Sequence, residues 1–149
     1  MSSAPVDQAA RDAIRTDLDH VLFVEAGAGS GKTSELVCRV VELVARGVVT
    51  IDQVAAITFT EAAAAELRER ILAALVDASL DETRDEDCRD RCDEAVHALD
   101  SAAISTLHAF AMRLLRAHLL DAGLPPVIEV LDEVQSSLAF EARWQSFLS

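Results

Sequence analysis

The stretch Ala26-Gly27-Ala28-Gly29-Ser30-Gly31-Lys32-Thr33 decides the fold class of this 149-residue chain. Its three glycines let the backbone curl around an anion without Cβ clashes, and successive N–H groups of such a curl form a nest for phosphate oxygens. Lys32 can reach the β- and γ-phosphate oxygens, and the Thr33 hydroxyl can bind Mg²⁺. The stretch therefore predicts a loop that binds ATP and Mg²⁺, with Ala26 where the usual consensus has glycine.

The segments on either side of this loop provide the context that a phosphate-binding loop requires. Residues 20–24, His-Val-Leu-Phe-Val, are a short apolar run and predict a buried strand. Residues 31–46 predict a helix that stops at Gly47 and directs its positive dipole end at the loop. The predicted apolar face of this helix consists of Leu36, Val40, Leu43 and Val44. The alternative to a nucleotide site is a glycine-rich turn that contains Gly-Lys-Thr by chance.

The rest of the chain continues to alternate strand with helix. The apolar patterns predict strands at 54–58 and 102–105 and helices at 7–17, 61–76, 106–120 and 133–148. Asp7 is a candidate cap for the first helix. Buried strands that alternate with crossover helices are typical of an α/β fold with a parallel sheet.

The charge of the chain limits how it can bind nucleic acid. It has 13 Lys and Arg against 26 Asp and Glu, a net charge of −13. A free-standing module that binds nucleic acid through its phosphates should be basic, so DNA binding here must rest on a local patch or on partner domains. Lys32 is the single lysine among the 13 basic residues, and it stands where phosphate chemistry explains it.

Residues 77–94 carry nine acidic and three basic side chains and predict an exposed insertion, a loop followed by a helix. Cys88 and Cys92 share one face of that helix, but a metal site needs about four ligands, so none is predicted. Three cysteines suggest reduced thiols. With no apolar run of about 20 residues and no secretory signal, we expect a cytoplasmic protein without a membrane partner.

Four segments in register resemble the N-terminal part of the UvrD/Rep-like superfamily 1A DNA helicases. Asp7-Gln8-Ala9-Ala10 with Ala13-Ile14 is similar to their Q motif, 24–33 to motif I, 56–71 to motif Ia and 104–116 to motif Ib. Glu61 and Ala62 replace an Asn-Lys pair usual in UvrD and Rep, which favours the RecB and AddA branch. The resemblance implies a RecA-like domain of a motor that uses ATP to move along single-stranded DNA in repair and recombination.

The resemblance also implies roles for residues outside the phosphate loop. Gln8 would hydrogen-bond the adenine edge, for which an amide offers both donor and acceptor. Contacts with single-stranded DNA, through phosphates for the hydroxyls and base stacking for the phenylalanine, would come from Thr58, Phe59, Thr60, Thr106 and His108. Without the resemblance, Gln8 would be interpreted as an exposed helix residue, Phe59 as a core residue and His108 as an ordinary surface or core group.

By the same resemblance, residues 1–76 would be the first part of the ATP-binding domain 1A and 77–100 an acidic, exposed insertion. Residues 101–122 would be the motif Ib strand and helix, and 123–149 the start of a helical 1B insertion. The fold class is then a partial RecA-like P-loop NTPase domain with a helical 1B-side segment.

In this family the motif II carboxylates and the arginine fingers lie beyond motif Ib. We therefore expect the chain to be an N-terminal piece of an ATP-dependent DNA helicase or helicase–nuclease subunit, with other such subunits as possible partners. We expect the 149 residues alone to be inactive. The alternatives are a non-catalytic remnant that binds nucleotide or a partner, and an unrelated P-loop NTPase.

Residues 127–135, Val-Ile-Glu-Val-Leu-Asp-Glu-Val-Gln, look like a strand that ends in motif II. Asp132 would then hold Mg²⁺ and Glu133 would position the attacking water. Glu129, however, interrupts the apolar run, and carboxylates also suit a helix N-terminus. We predict Asp132 and Glu133 to be the cap and first turn of the last helix, far from Thr33.

Overall fold

The computed structural model describes residues 7–27, 29–125, 127–128 and 130–148. They divide into two compact units, one up to Phe110 and one from Ala111 onward. The regular elements in chain order are α1 (Gln8–Thr16), α2 (Lys32–Ala45), β1 (Ala55–Thr58), α3 (Glu61–Leu80), α4 (Glu86–Ala98), β2 (Ala103–Thr106), α5 (Leu107–Ala117) and α6 (Glu133–Leu148). In the described part of the chain, no helix combines the length and the apolar character that a membrane span requires.

The sheet of the first unit consists of two parallel strands. β1 pairs with β2 in a register that sets Ala55 beside Ala103 and Thr58 beside Thr106. The chain between them forms α3 and α4, because parallel strands need a long crossover connection. The predicted α/β class with a parallel sheet is confirmed, although of the β1 residues only Ala56 is buried.

The core of this unit lies between α2, α3, α4 and the sheet. Ile71 and Leu75 of α3 are fully buried there, together with Cys92 of α4. Burying an apolar side chain of this size stabilises the fold by about 1.5–3 kcal/mol. Ile51 and Leu99, each in a short 3₁₀ turn, close the core beside the strands.

The prediction of an exposed acidic insertion at 77–100 is wrong for one face of α4. Cys92 and Ala95 are buried, and α4 packs against both α2 and α3. These small apolar residues, with Leu99, stand at helical spacing inside a run dominated by charge. The acidic side chains occupy the remaining, solvent-facing part of the helix, so a charge count outweighed a short apolar stripe.

Helix α2 begins and ends as its local signals require. Gly47 adopts a left-handed conformation (φ +67°), and the N–H of Val48 bonds the Leu43 carbonyl at 2.9 Å, which closes the helix end. Its predicted apolar face is only partly right, since Val40 and Val44 are buried but Leu36 is exposed. Because α1 packs on one side of α2, and α3 and α4 on the other, the buried face is wider than predicted and also includes Val37, Val41 and Ala45.

The predicted buried strand at 20–24 is wrong for the structure described. These residues form no regular element, and Val21, Phe23 and Val24 are exposed. A buried strand needs neighbours that pair with its N–H and C=O groups, and no described strand pairs with this segment. One of its carbonyls, that of His20, accepts from the Arg39 side chain instead, at 3.2 Å.

The second unit contains the end of α5, a turn and α6. Gly123, in a left-handed conformation (φ +65°), closes the turn after α5, where the N–H of Leu124 bonds the Leu119 carbonyl at 2.9 Å. α6 starts after Asp132, whose carboxylate accepts from the Gln135 N–H at 2.8 Å, while the Gln135 side chain accepts from the Asp132 N–H at 3.1 Å. This reciprocal pair confirms the prediction that Asp132 caps a helix.

Candidate nucleotide-binding site

The phosphate loop closes on itself and leads directly into α2. Gly29 (φ +74°) and Gly31 (φ +86°) both have left-handed backbones that other residues rarely adopt. The Ser30 hydroxyl donates to the Gly27 carbonyl at 2.8 Å, and the Glu35 N–H donates to the Gly31 carbonyl at 3.0 Å as the first turn of α2 begins. Ala28, also predicted to bind nucleotide, lies outside the described residues.

Lys32 and Thr33 occupy the first turn of α2, and both are exposed. The Lys32 ammonium donates to the carbonyls of Ala26 and Gly27, to the latter at 2.8 Å, so it lies over the start of the loop. A cation and a hydroxyl at a helix N-terminus suit the phosphates and the metal ion of a nucleotide.

A cleft of about 610 Å³ opens beside the loop. Ser30, Lys32 and Thr33 give it a polar end, while Val21 and Leu22 contribute apolar surface from the segment predicted to be a strand. Clefts of this volume hold ligands the size of a nucleotide. The donor set also fits Mg²⁺, which uses few protein ligands and keeps phosphate oxygens and water in its shell, so the Thr33 hydroxyl suffices.

A buried carboxylate on α2 joins this site to α1. Glu35 is only 5% exposed. Arg15 of α1 binds it through two bonds, Nε to Oε2 at 2.7 Å and Nη2 to Oε1 at 2.8 Å. Arg11 adds a third from Nη1 to Oε1 at 2.9 Å. Hydrogen bonds from Arg15, reinforced by Arg11 and opposed by burial, hold the pKa of Glu35 below its ordinary value.

Arg39 of α2 makes a second link to α1 and to the chain that leaves it. Its Nη1 donates to the carbonyls of Ile14 and Asp17, both at 2.7 Å. These bonds satisfy carbonyls at the end of α1 that have no partner within the helix. Sequence reasoning missed Arg39 and Glu35. The available signal was a charged residue inside the apolar pattern of α2, with two arginines one turn apart on α1.

Two predictions for the start of α1 meet the structure differently. Asp7 stands at the cap position, but its carboxylate accepts from Arg11 Nη2 at 2.8 Å and no side-chain cap bond forms, so the predicted cap is wrong. Gln8 donates from its amide to Asp12 at 2.8 Å and is not among the residues that line the cleft. The adenine contact of Gln8 stays a prediction.

The residues predicted to contact DNA cluster where the two strands end. Thr58 and Thr106 are register partners at the carboxyl ends of β1 and β2. The Thr58 hydroxyl donates to the Thr60 carbonyl at 3.0 Å, and the Thr60 hydroxyl caps α3 by accepting from the Ala63 N–H at 3.2 Å. Phe59 between them is 95% exposed, so the interpretation of Phe59 as a core residue is wrong.

Thr106 differs from the other predicted DNA contacts because it is only 7% exposed. Its hydroxyl donates to Glu61 Oε1 at 3.0 Å and accepts from the Ala109 N–H at 3.2 Å. Thr106 therefore ties the start of α3 to the start of α5 beneath the surface. His108, in the first turn of α5, is exposed.

The left-handed glycines, the lysine and hydroxyl at the start of a helix, and the adjoining parallel strands define a nucleotide-binding α/β protein of the P-loop class. The protein-family profile described as UvrD/REP helicase N-terminal domain matches residues 6–147. The chain therefore belongs to the UvrD/REP helicase N-terminal domain family. The family resemblance carried by the four motifs is confirmed.

Similar proteins agree with this family and with the predicted branch. The chain is 40% identical over 125 residues to the ATP-dependent helicase/nuclease protein AddA of Pediococcus pentosaceus, across 84% of this chain and 10% of that protein. It is 41% identical over 131 residues to the protein of the same name in Enterococcus faecalis, across 87% of this chain and 10% of that protein. The chain thus spans about a tenth of the length of the curated relatives it matches.

Proposed function

We propose that this chain is the ATP-binding part of an ATP-dependent DNA helicase or helicase–nuclease subunit that acts in DNA repair and recombination. The observation that carries the proposal is the loop from Gly27 to Thr33, with two left-handed glycines and a lysine at the N-terminus of α2. Membership of the UvrD/REP family supports it, as do relatives whose names describe ATP-dependent helicase/nuclease subunits.

In this proposal the loop residues bind the triphosphate and α2 supplies a favourable dipole. Backbone N–H groups of Gly29, Ser30 and Gly31 would hold phosphate oxygens, and Lys32 would neutralise part of their charge. Thr33 would hold Mg²⁺, which supplies charge stabilisation when bound. Gln8 would complete the site on the adenine side.

The proposed DNA track is the surface at the ends of β1 and β2. Phe59 offers a free aromatic face on which a base can stack whatever its identity. Thr58, Thr60 and His108 would approach phosphates beside it. Thr106 would act on this track from below, through Glu61 and the start of α5.

The proposal extends to partners and location. Single-stranded DNA would be the track of the whole protein, and other helicase–nuclease subunits its protein partners, as the names of the relatives indicate for those proteins. The location that supplies both ATP and DNA in bacteria is the cytoplasm. Residues 1–76 and 101–122 would belong to domain 1A, residues 123–149 to the 1B insertion, and the 77–100 segment to an insertion that packs on 1A.

The nucleotide site is tested by titrating the chain with a fluorescent ATP analogue in the presence of Mg²⁺. Lys32→Ala removes the cation at the loop and should abolish measurable binding, because charge-assisted contacts to phosphate are among the strongest in such sites. Arg70→Ala is the matched control, since Arg70 pairs at 3.6 Å only with Glu66 on the exposed side of α3. Equal affinity of the unchanged chain and Lys32→Ala would refute the assignment of the loop.

The motor activity is tested on the natural protein that contains this chain. It should unwind a duplex with a single-stranded tail only when ATP and Mg²⁺ are present, and Lys32→Ala should stop unwinding. A protein that binds ATP but neither hydrolyses it nor unwinds DNA would support the alternative of a nucleotide-binding remnant.

A further inference from the structure

Arg11 contacts three separate parts of the nucleotide-binding unit with one guanidinium. Nη1 donates to Glu35 of α2 at 2.9 Å, and Nη2 donates to Asp7 and to the backbone carbonyl of Ser30, each at 2.8 Å. A Cβ built on Gly31 would lie 3.3 Å from Nη1. The guanidinium therefore packs directly against the backbone of the phosphate loop.

The bond from Arg11 to Ser30 fixes the orientation of one peptide group in the loop. A trans peptide is planar, so its carbonyl and the N–H of the next residue point in opposite directions. Because Arg11 holds the Ser30 carbonyl, the Gly31 N–H is directed away from Arg11. The orientation of that N–H, one of the proposed phosphate donors, thus depends on a side chain outside the loop.

Glu35 explains why Arg11 can hold this position. The carboxylate is buried and already bound twice by Arg15, so it is an immobile anchor for Nη1. A planar guanidinium with several fixed donors can bind acceptors on different elements at once, which a single ammonium group does less well. α1, α2 and the loop therefore meet at one side chain.

We propose that Arg11 is a positioning residue for nucleotide binding: it orients the phosphate loop through the Ser30 carbonyl and makes phosphate affinity depend on the docking of α1 against α2. The inference rests on the proposed function, since it requires that this loop binds nucleotide. Arg11 acts through the loop backbone and touches no phosphate itself. Its loss therefore weakens any nucleotide that carries a β-phosphate in the loop.

Arg15 supplies a matched comparison within the same helix. Like Arg11 it belongs to α1 and pairs with Glu35, but its bonds run only to that carboxylate and none of them reaches the loop. Arg15→Gln removes a link between α1 and α2 and leaves the Ser30 contact in place. Arg11→Gln removes a link of the same kind together with the Ser30 contact.

The test measures dissociation constants for fluorescent ATP and ADP on the whole 149-residue chain, well below the melting temperature of each variant. Arg11→Gln should weaken ATP and ADP alike by about tenfold, the loss expected for one charged hydrogen bond. Arg15→Gln should lower the melting temperature but leave both constants within about twofold of the unchanged chain, because it keeps the Ser30 contact. If Arg11→Gln does not fold, Arg11→Lys replaces it with the same expected direction.

Three results would overturn the inference alone while Lys32→Ala still abolishes binding. They are unchanged affinity in Arg11→Gln, an equal loss of affinity in Arg11→Gln and Arg15→Gln, and a loss for ATP without a loss for ADP. The last result would mean that Arg11 touches the γ-phosphate directly. Absence of nucleotide binding by the unchanged chain would remove the proposed function and this inference with it.

Discussion

The Arg84 guanidinium lies 2.6 Å from the Glu42 carboxylate, Nη2 to Oε1, and joins the acidic segment after α3 to the helix that follows the phosphate loop. Arg46 binds the other oxygen of the same carboxylate at 3.0 Å. Glu42 is thus held between a partner on its own helix turn and one more than forty positions away. The acidic segment is fastened to α2 by one of its few basic residues.

Glu42 should make the stability of the chain depend on pH in the acid range. Burial opposes its ionisation, but hydrogen bonds from Arg84 and Arg46 leave its pKa below the ordinary value. A carboxyl with a lowered folded-state pKa stabilises the fold above its unfolded pKa, and this contribution is lost as the pH falls through the folded value. We expect Glu42→Gln to cost about 1–2 kcal/mol near neutral pH and less as the pH falls below about 4. Denaturant unfolding of both proteins across this range measures the difference, with exposed Glu66→Gln as control; parallel pH profiles for Glu42→Gln and the unchanged chain contradict it.

The two cysteines of α4 should respond differently to the same substitution. Cys92 is fully buried, whereas Cys88 is half-buried and its thiol donates to Asp85 at 3.2 Å. Cys92→Ser places a hydroxyl in the core and should destabilise the fold by about 1–3 kcal/mol, while Cys88→Ser should change stability little. Thermal unfolding of the two variants gives the comparison. Equal melting temperatures would restore the interpretation of α4 as an exposed insertion.

Phe59 should contribute to DNA binding without contributing to stability. Its ring is 95% exposed, so Phe59→Ala removes little packing. If bases stack on it, the variant should lose about 1–3 kcal/mol of affinity for oligothymidine, measured by fluorescence anisotropy at low salt. The unchanged chain should itself bind weakly at physiological salt, because its net charge is −13. Leu80→Ala, another exposed apolar residue, is the control, and equal DNA affinity of Phe59→Ala and the unchanged chain would count against the proposed track.

Asp132 should matter to α6 as a cap. Asp132→Ala removes the acceptor for the Gln135 N–H and should destabilise the helix by about 1 kcal/mol, whereas Asp132→Asn, also a good cap, should keep most of it. Hydrogen exchange of the amides of residues 134–136 reports the change directly. Faster exchange in both variants to the same degree would mean that the charge, and not the cap, stabilises the first turn.

Local signals in the sequence predicted the parts of the fold that are specified locally. The loop and α2 follow from glycine spacing, the helical pattern and Gly47, and the structure has them with helix ends close to those predicted. The bounds of α6 follow in the same way from the cap and the apolar pattern. Each depends on contacts between residues that are near neighbours in the chain.

What could not be predicted depends on distant partners. Whether 20–24 forms a strand depends on neighbours that pair with it, and its apolar pattern says nothing about them. Cys92 and Ala95 look like minor residues in an acidic run until α2 and α3 cover them. The bond from Arg11 to Glu35 joins positions 24 apart, and no local pattern predicts such a contact.

The parallel pairing of β1 with β2 sets the order in which the chain can fold. Ala55 meets Ala103 only after about fifty residues of chain have been brought back, so the pair cannot form early. α3 and α4 are joined by a short turn in which Asp81 accepts from the N–H and the hydroxyl of Thr83, at 3.0 and 2.7 Å, and they can dock first. Thr83→Ala should therefore slow refolding, whereas Ile104→Val in β2 should mainly accelerate unfolding. In stopped-flow kinetics the two variants would shift opposite arms of the chevron, and the helical pair would be the nucleus on which the sheet assembles.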